Sequence, residues 1–190
     1  MAPSHDILVV NDRALDAHET LIALEQVAPR ASVLHLLGGD EALEYLFCVG
    51  AFAGRVPELP RLVLLSLEMS VISGLCVLDL LRAHPRTCHI PVVVLSFERD
   101  LRKHRRHDRF DADAYVVKPC DFQRYCAVLD GCVRHWLPWA RGVTPSLRAG
   151  SGFAGKTPTT RGSHDCAGQG WPWSTTPLAV CSSRRALNGS

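Results

Sequence analysis

No stretch of eighteen consecutive apolar residues occurs in this chain, which excludes a membrane-spanning helix as its organising element. The opening Met1 to Asp6 has neither a basic cluster nor an apolar run, so no secretory leader is expected and the chain reads as cytoplasmic. Eight cysteines are present, yet no pair has the C-x-x-C spacing of a zinc knuckle or a dithiol redox centre. Cys48, Cys76, Cys88, Cys120, Cys126 and Cys132 lie mostly among apolar residues and read as reduced, small hydrophobes. His164 and Cys166 supply only half of a metal-ligand set. Acids are scarce at one end. Residues 139–190 hold six basic residues and a single acid, Asp165, whereas the preceding part holds 15 basic and 18 acidic residues. The first part therefore carries about −3 and the tail about +5, so two regions with different physics share the chain.

What is present before residue 139 is a repeated alternation. Short runs rich in Val, Leu and Ile lie near 6–10, 32–37, 62–66, 92–96 and 114–117. Continuous rather than alternating hydrophobicity suits strands buried on both faces of a parallel sheet. Helical patterns separate them: Ala17, Leu21, Leu24 and Ala28 form one stripe, and Phe122, Tyr125, Leu129, Cys132 and Trp136 another, with Asp121 placed to cap the second. Five strands alternating with five helices predict a doubly wound α/β sandwich. Right-handed crossovers then gather the C-terminal ends of the first, third, fourth and fifth strands at one edge, where such sheets place ligands. Asp12, Ser66, Ser96 and Lys118 all fall at that edge.

Between the fourth and fifth strands, the expected helix from Arg99 to Arg109 is strongly basic, with Arg102, Arg105 and Arg106 among its charges. It reads either as a solvated face or as a surface for an acidic or phosphorylated partner. Beyond Pro138, 25 of the last 52 residues are Gly, Pro, Ser or Thr, so residues 139–190 are expected to form a disordered basic tail. The segment from Gly150 to Thr157 fits G-x-x-x-x-G-K-[ST], but no apolar strand precedes it and Pro158 follows where a helix should run. It reads as coincidence. Trp139, Trp171 and Trp173 are either partner anchors or marks of sequence never selected to fold.

The fragments ILVVND, GGDEALEYLF, LPRLVLLSLEM, GLCVLDLLRAHPRTCHIPVVVLS and DAYVVKPCDF together resemble the receiver domain of two-component response regulators, over residues 1–138. The long connection from Gly50 to Arg55 resembles the small single-domain regulators that partner phytochrome-like sensor histidine kinases. The resemblance implies a flavodoxin-like sheet of order 2-1-3-4-5. It also implies a carboxylate nucleophile on the third strand, two acids after the first strand holding Mg²⁺, a hydroxyl and a lysine on the phosphoryl oxygens, and a switching aromatic. Asp12 matches one acid, Ser96 the hydroxyl, Tyr115 the aromatic and Lys118 the lysine.

Two positions depart: Asn11 stands for the other acid, and Ser66 for the nucleophile. A serine hydroxyl needs a base to become nucleophilic, and a metal site left mainly with Asp12 should hold Mg²⁺ weakly. Glu68, two residues past Ser66, is expected to point into the loop. Asp111 stands where the family usually has glycine before the fifth strand. These residues point to a pseudo-receiver that is not an enzyme and acts in phosphorelay signalling by protein–protein contact. The alternatives are phosphorylation on another acid such as Glu68, and nucleic-acid association through the basic tail. A homodimer through an exposed last helix bearing Trp136 and Trp139 is a further expectation.

Overall fold

A computed structural model describes residues 5–97 and 111–140, together with the backbone of 154–155. The strands are β1 (Ile7–Val10), β2 (Val33–Leu36), β3 (Leu62–Ser66), β4 (Val92–Ser96), β5 (Ala114–Val117) and β6 (Ala154–Gly155). The helices are α1 (Ala14–Val27), α2 (Gly39–Phe47), α3 (Gly74–Ala83) and α4 (Phe122–Trp136). The basic helix expected over 99–109, with Arg102, Arg105 and Arg106, lies outside the described residues.

Each apolar run becomes a strand because both of its faces are covered. Ile7, Val9, Leu62, Leu64, Val93, Leu95 and Val116 pack with Leu24, Tyr125 and Leu129 of α1 and α4. Leu8, Val10, Val63, Leu65, Val92 and Val94 pack with Leu43, Leu46, Leu78 and Leu81 of α2 and α3. Burying each such side chain stabilises the fold by about 1.5–3 kcal/mol, which is why a run with no polar alternation folds as a central strand. The first five strands are parallel in the order β2-β1-β3-β4-β5. The tail adds one element that its composition does not announce: β6 pairs antiparallel with β5, Ala154 opposite Tyr115 and Gly155 opposite Ala114.

The helical stripes are broader than the sequence pattern. In α1, Thr20 and Ala23 join Ala17 and Leu24 in the core, while Leu21 is only half-buried. Thr20 tolerates burial because its hydroxyl bonds both the Asp16 carbonyl and the Tyr125 hydroxyl, each at 2.8 Å. Asp121 caps α4, its Oδ1 accepting from the Arg124 amide at 2.8 Å. Cys126 and Cys132 are buried as small hydrophobes, and burial raises the Cys132 thiol to about 12, but Cys120 is exposed. Trp136 packs half-buried against the core. Trp139 lies beyond α4, in a short 3-10 turn at Pro138–Ala140. That turn carries the fold two residues past the expected boundary: Ala140 is fully buried and its carbonyl accepts from the Arg30 amide at 3.2 Å.

At the edge opposite the candidate site, Arg82 ties α3 to β5. Its guanidinium donates to the carbonyls of Cys88, Ile90 and Asp111 and pairs with the Asp113 carboxylate at 2.6 Å. Asp111, which stands where the family usually has glycine, adds a side-chain contact here: its exposed Oδ2 lies 4.0 Å from Arg82 Nε. In the connection after α2, the Arg55 guanidinium sits 3.8 Å over the Tyr45 ring and Phe52 packs edge-on against it, holding the long loop to the helix.

Candidate functional site

The C-terminal edge of the sheet carries a shallow pocket with a cavity of about 10 Å³, room for roughly one water, lined by Arg13, Asp16, Ser66, Glu68, Leu95, Ser96, Phe97 and Lys118. Strand ends deliver Ser66, Ser96 and Lys118, as their spacing predicts. The first turn of α1 delivers Asp16, and the short link before it delivers Arg13. Lys118 is held by its own backbone, whose amide donates to the Ser96 carbonyl at 2.9 Å.

Lys118 is only 6% exposed. Its Nζ stands 5.8 Å from the ring centres of both Phe97 and Tyr125. Among the described residues no carboxylate lies within ion-pair distance of it. Burial lowers the ammonium's pKa from its ordinary value, while Asp16 and Glu19 pull the other way from farther off. The aromatic faces offset part of the desolvation cost. Among the described residues, the edge thus holds a buried ammonium with no carboxylate partner beside two hydroxyls.

Ser66 Oγ makes one long contact, donating to the Glu68 carbonyl at 3.5 Å. Among the described residues no imidazole or carboxylate accepts its proton, which is what a serine nucleophile would need. Ser96 Oγ donates to the Phe97 carbonyl at 3.3 Å. Glu68 lies exposed in the loop just past β3, and it also lines the pocket with Lys118. Tyr115 is half-buried against the α2–α3 core layer, and burial raises its hydroxyl to about 12.

The expected metal residues are not brought together. Asp12 does not line the pocket; its Oδ2 accepts from the Ser70 amide at 2.5 Å and the Ser70 hydroxyl at 2.6 Å. Its Oδ1 is buried without a hydrogen-bond partner among the described residues. Asn11 is also occupied structurally: its Oδ1 accepts from the Arg13 amide at 3.0 Å, and its carbonyl meets His35 Nε2 at 2.8 Å. Asp16 is turned to Arg13, whose Nε is 3.4 Å from its Oδ2. The lining carries Arg13 and Lys118 against Asp16 and Glu68, so its formal charge is zero. Mg²⁺ requires several oxygen ligands and a negative site to offset dehydration, so these residues do not fit it as they stand. Among the described residues no group of three His, Cys, Asp or Glu side chains could hold a metal.

Sequence reasoning missed Arg13, Asp16, Phe97 and Ser70. Asp16 had a signal, lying one helical turn beyond Asp12 at the start of a predicted helix. Gly74 fixes the corner behind Ser66: a side chain there would place Cβ 2.0 Å from the Ser66 carbonyl oxygen, so only glycine lets α3 begin against the end of β3.

No family model matches the chain. A probable methanogenesis regulatory protein, FilR2 of Methanothrix harundinacea (strain 6Ac), is 32% identical over 142 residues, spanning 74% of this chain and 88% of the relative. Among solved structures, the bacteriophytochrome response regulator RtBRR is 30% identical, with a TM-score of 0.61 over 77% of this chain and 87% of that one. The phosphorylated cyanobacterial phytochrome response regulator RcpA is 26% identical, with a TM-score of 0.62 over 71% of this chain and 95% of that one. Likeness to both a curated relative and solved regulators extends over nearly their whole length. The chain belongs to the response-regulator receiver family of two-component signalling.

Proposed function

We propose that this protein is a pseudo-receiver: a response regulator that works through protein–protein contact and not through an aspartyl phosphate. One observation carries the reading. The side chain that β3 presents beside the buried Lys118 is the neutral, unactivated hydroxyl of Ser66. Carboxylate attack on a phosphoryl donor needs a nucleophile there, together with a cation that offsets the approach of two anions. Ser66 lacks the first, and Asp12 is turned away from supplying the second.

The partner is a sensor histidine kinase, of the phytochrome-like class suggested by the family relatives, or a downstream signalling protein. Ser96 and Tyr115 lie on adjacent strands and offer a route from the edge to the β5 side. The basic run with Arg102, Arg105 and Arg106 would favour an acidic partner surface by speeding encounter. Replacing those three arginines with glutamate is expected to weaken capture and to remove its salt dependence.

A second reading is favoured by the position of Glu68, an acid in the same pocket as Lys118 and Ser96. On that reading Glu68 accepts the phosphoryl group. Intact mass after incubation with acetyl phosphate and MgCl₂ separates the two. An unchanged mass supports the pseudo-receiver. A gain of one phosphate that hydroxylamine removes, and that Glu68→Gln abolishes, supports the second reading.

A further inference from the structure

Asp12 has the geometry of a carboxylate whose exposed oxygen is already occupied by donors of its own chain. An ionised carboxylate oxygen offers about two lone-pair sites. Both sites on Oδ2 are filled by one residue, the Ser70 amide at 2.5 Å and the Ser70 hydroxyl at 2.6 Å. Hydrogen bonds donated to an ionised carboxylate are charge-assisted and roughly twice as strong as neutral ones. The remaining oxygen, Oδ1, is closed to solvent. A cation approaching Asp12 would have to displace Ser70 or open the buried side.

Ser70 lies in the loop between β3 and α3, and that loop is fixed elsewhere as well. The Gly74 amide donates to the Leu67 carbonyl at 2.9 Å, and the Ser73 hydroxyl caps α3 by accepting from the Cys76 amide at 3.4 Å. The loop is therefore pinned at its end by the start of α3 and in its middle by Asp12. Ser66, on β3, directly precedes this loop.

We propose that Ser70 is a positioning residue that takes the place of a divalent cation at Asp12. Its two donors satisfy one carboxylate oxygen from within the chain, exclude the metal, and hold the β3–α3 loop in one arrangement whether or not a cation is present. The loop position is then independent of metal. This inference does not depend on whether any residue accepts phosphate.

The test uses the full chain and Mn²⁺ as the probe, followed by electron paramagnetic resonance of the free ion and by thermal melting. Wild type is expected to bind no Mn²⁺ at millimolar concentration and to melt at the same temperature with or without it. Ser70→Ala removes the hydroxyl and Ser70→Pro removes both donors. Each should tighten Mn²⁺ binding on the order of tenfold or more, the scale seen when an orienting partner of a ligand is altered. Asp12→Asn in the Ser70→Ala background should abolish the gain, which ties it to that carboxylate. If Ser70→Pro does not fold, Ser70→Ala with its native circular dichroism carries the comparison. The proposal is overturned if wild type binds Mn²⁺ as tightly as Ser70→Ala, or if folded Ser70→Ala gains no affinity.

Discussion

Replacing Lys118 with methionine should make this protein more stable. The ammonium is 6% exposed, has no carboxylate within ion-pair distance among the described residues, and rests against two aromatic rings at 5.8 Å. Burying an unpaired charge costs several kcal/mol after relaxation. Two cation–π contacts return about 0.5–1 kcal/mol each, and the more distant Asp16 and Glu19 return part of the rest. Methionine matches the length of the stem and fills the space between Phe97 and Tyr125 without a charge. The net expected gain is about 1–3 kcal/mol, or roughly 3–9 °C in Tm for a domain of this size.

The pH dependence identifies the cause. Burial depresses the folded pKa of Lys118 below the unfolded value of 10.5. Between those two values the unfolded chain binds the extra proton, so the lysine's unfavourable contribution shrinks as pH rises through the window. The stability gap between Lys118→Met and wild type should therefore narrow as pH approaches 10.5, while the tyrosines, common to both, cancel. Thermal melts by circular dichroism at neutral and alkaline pH provide the reading. A variant less stable by more than about 1 kcal/mol, or a gap that does not change with pH, would refute the reasoning and show the ammonium to be paired in solution.

Two further outcomes follow from other parts of the molecule. Arg82→Met should destabilise by about 2–4 kcal/mol in urea unfolding, because it leaves the Asp113 carboxylate without its buried partner and three carbonyls without donors. Asp113→Asn in the same background should add little, since the pair is already broken. All three tyrosines of the chain, Tyr45, Tyr115 and Tyr125, have hydroxyl pKa values raised by burial, Tyr115 to about 12. Their folded values exceed the unfolded value near 10, so their contribution is present below that pH and lost above it. Ultraviolet titration should show little tyrosinate at pH 10 in the folded protein, with its appearance tracking alkaline unfolding. A normal titration with native circular dichroism would contradict the burial.

The sheet was readable because runs such as Val92–Leu95 have no polar alternation and can only be satisfied with helices on both faces. The edge was readable because right-handed crossovers leave the topology little choice about where Ser66, Ser96 and Lys118 end. The electrostatics of the edge were not. Whether Asp12 faces the pocket depends on the path of a single loop, and Ser70 reaches it only through folded geometry 58 positions along the chain. Glu68 lines the same pocket as Ser66, two residues before it, the side that strand alternation carried one step past β3 would give. The burial of Thr20 has no local signal, since its partner Tyr125 lies 105 positions away. The strand pairing of Ala154 and Gly155 had no periodic signal, being only two residues long.

The central claim is contact without phosphoryl transfer. Its most direct test presents the purified protein to an autophosphorylated, phytochrome-like sensor histidine kinase carrying labelled phosphate, in MgCl₂, and follows both the label and the complex. The account predicts that the two proteins co-elute while the label remains on the kinase. Label moving onto this chain in a hydroxylamine-sensitive form would contradict it.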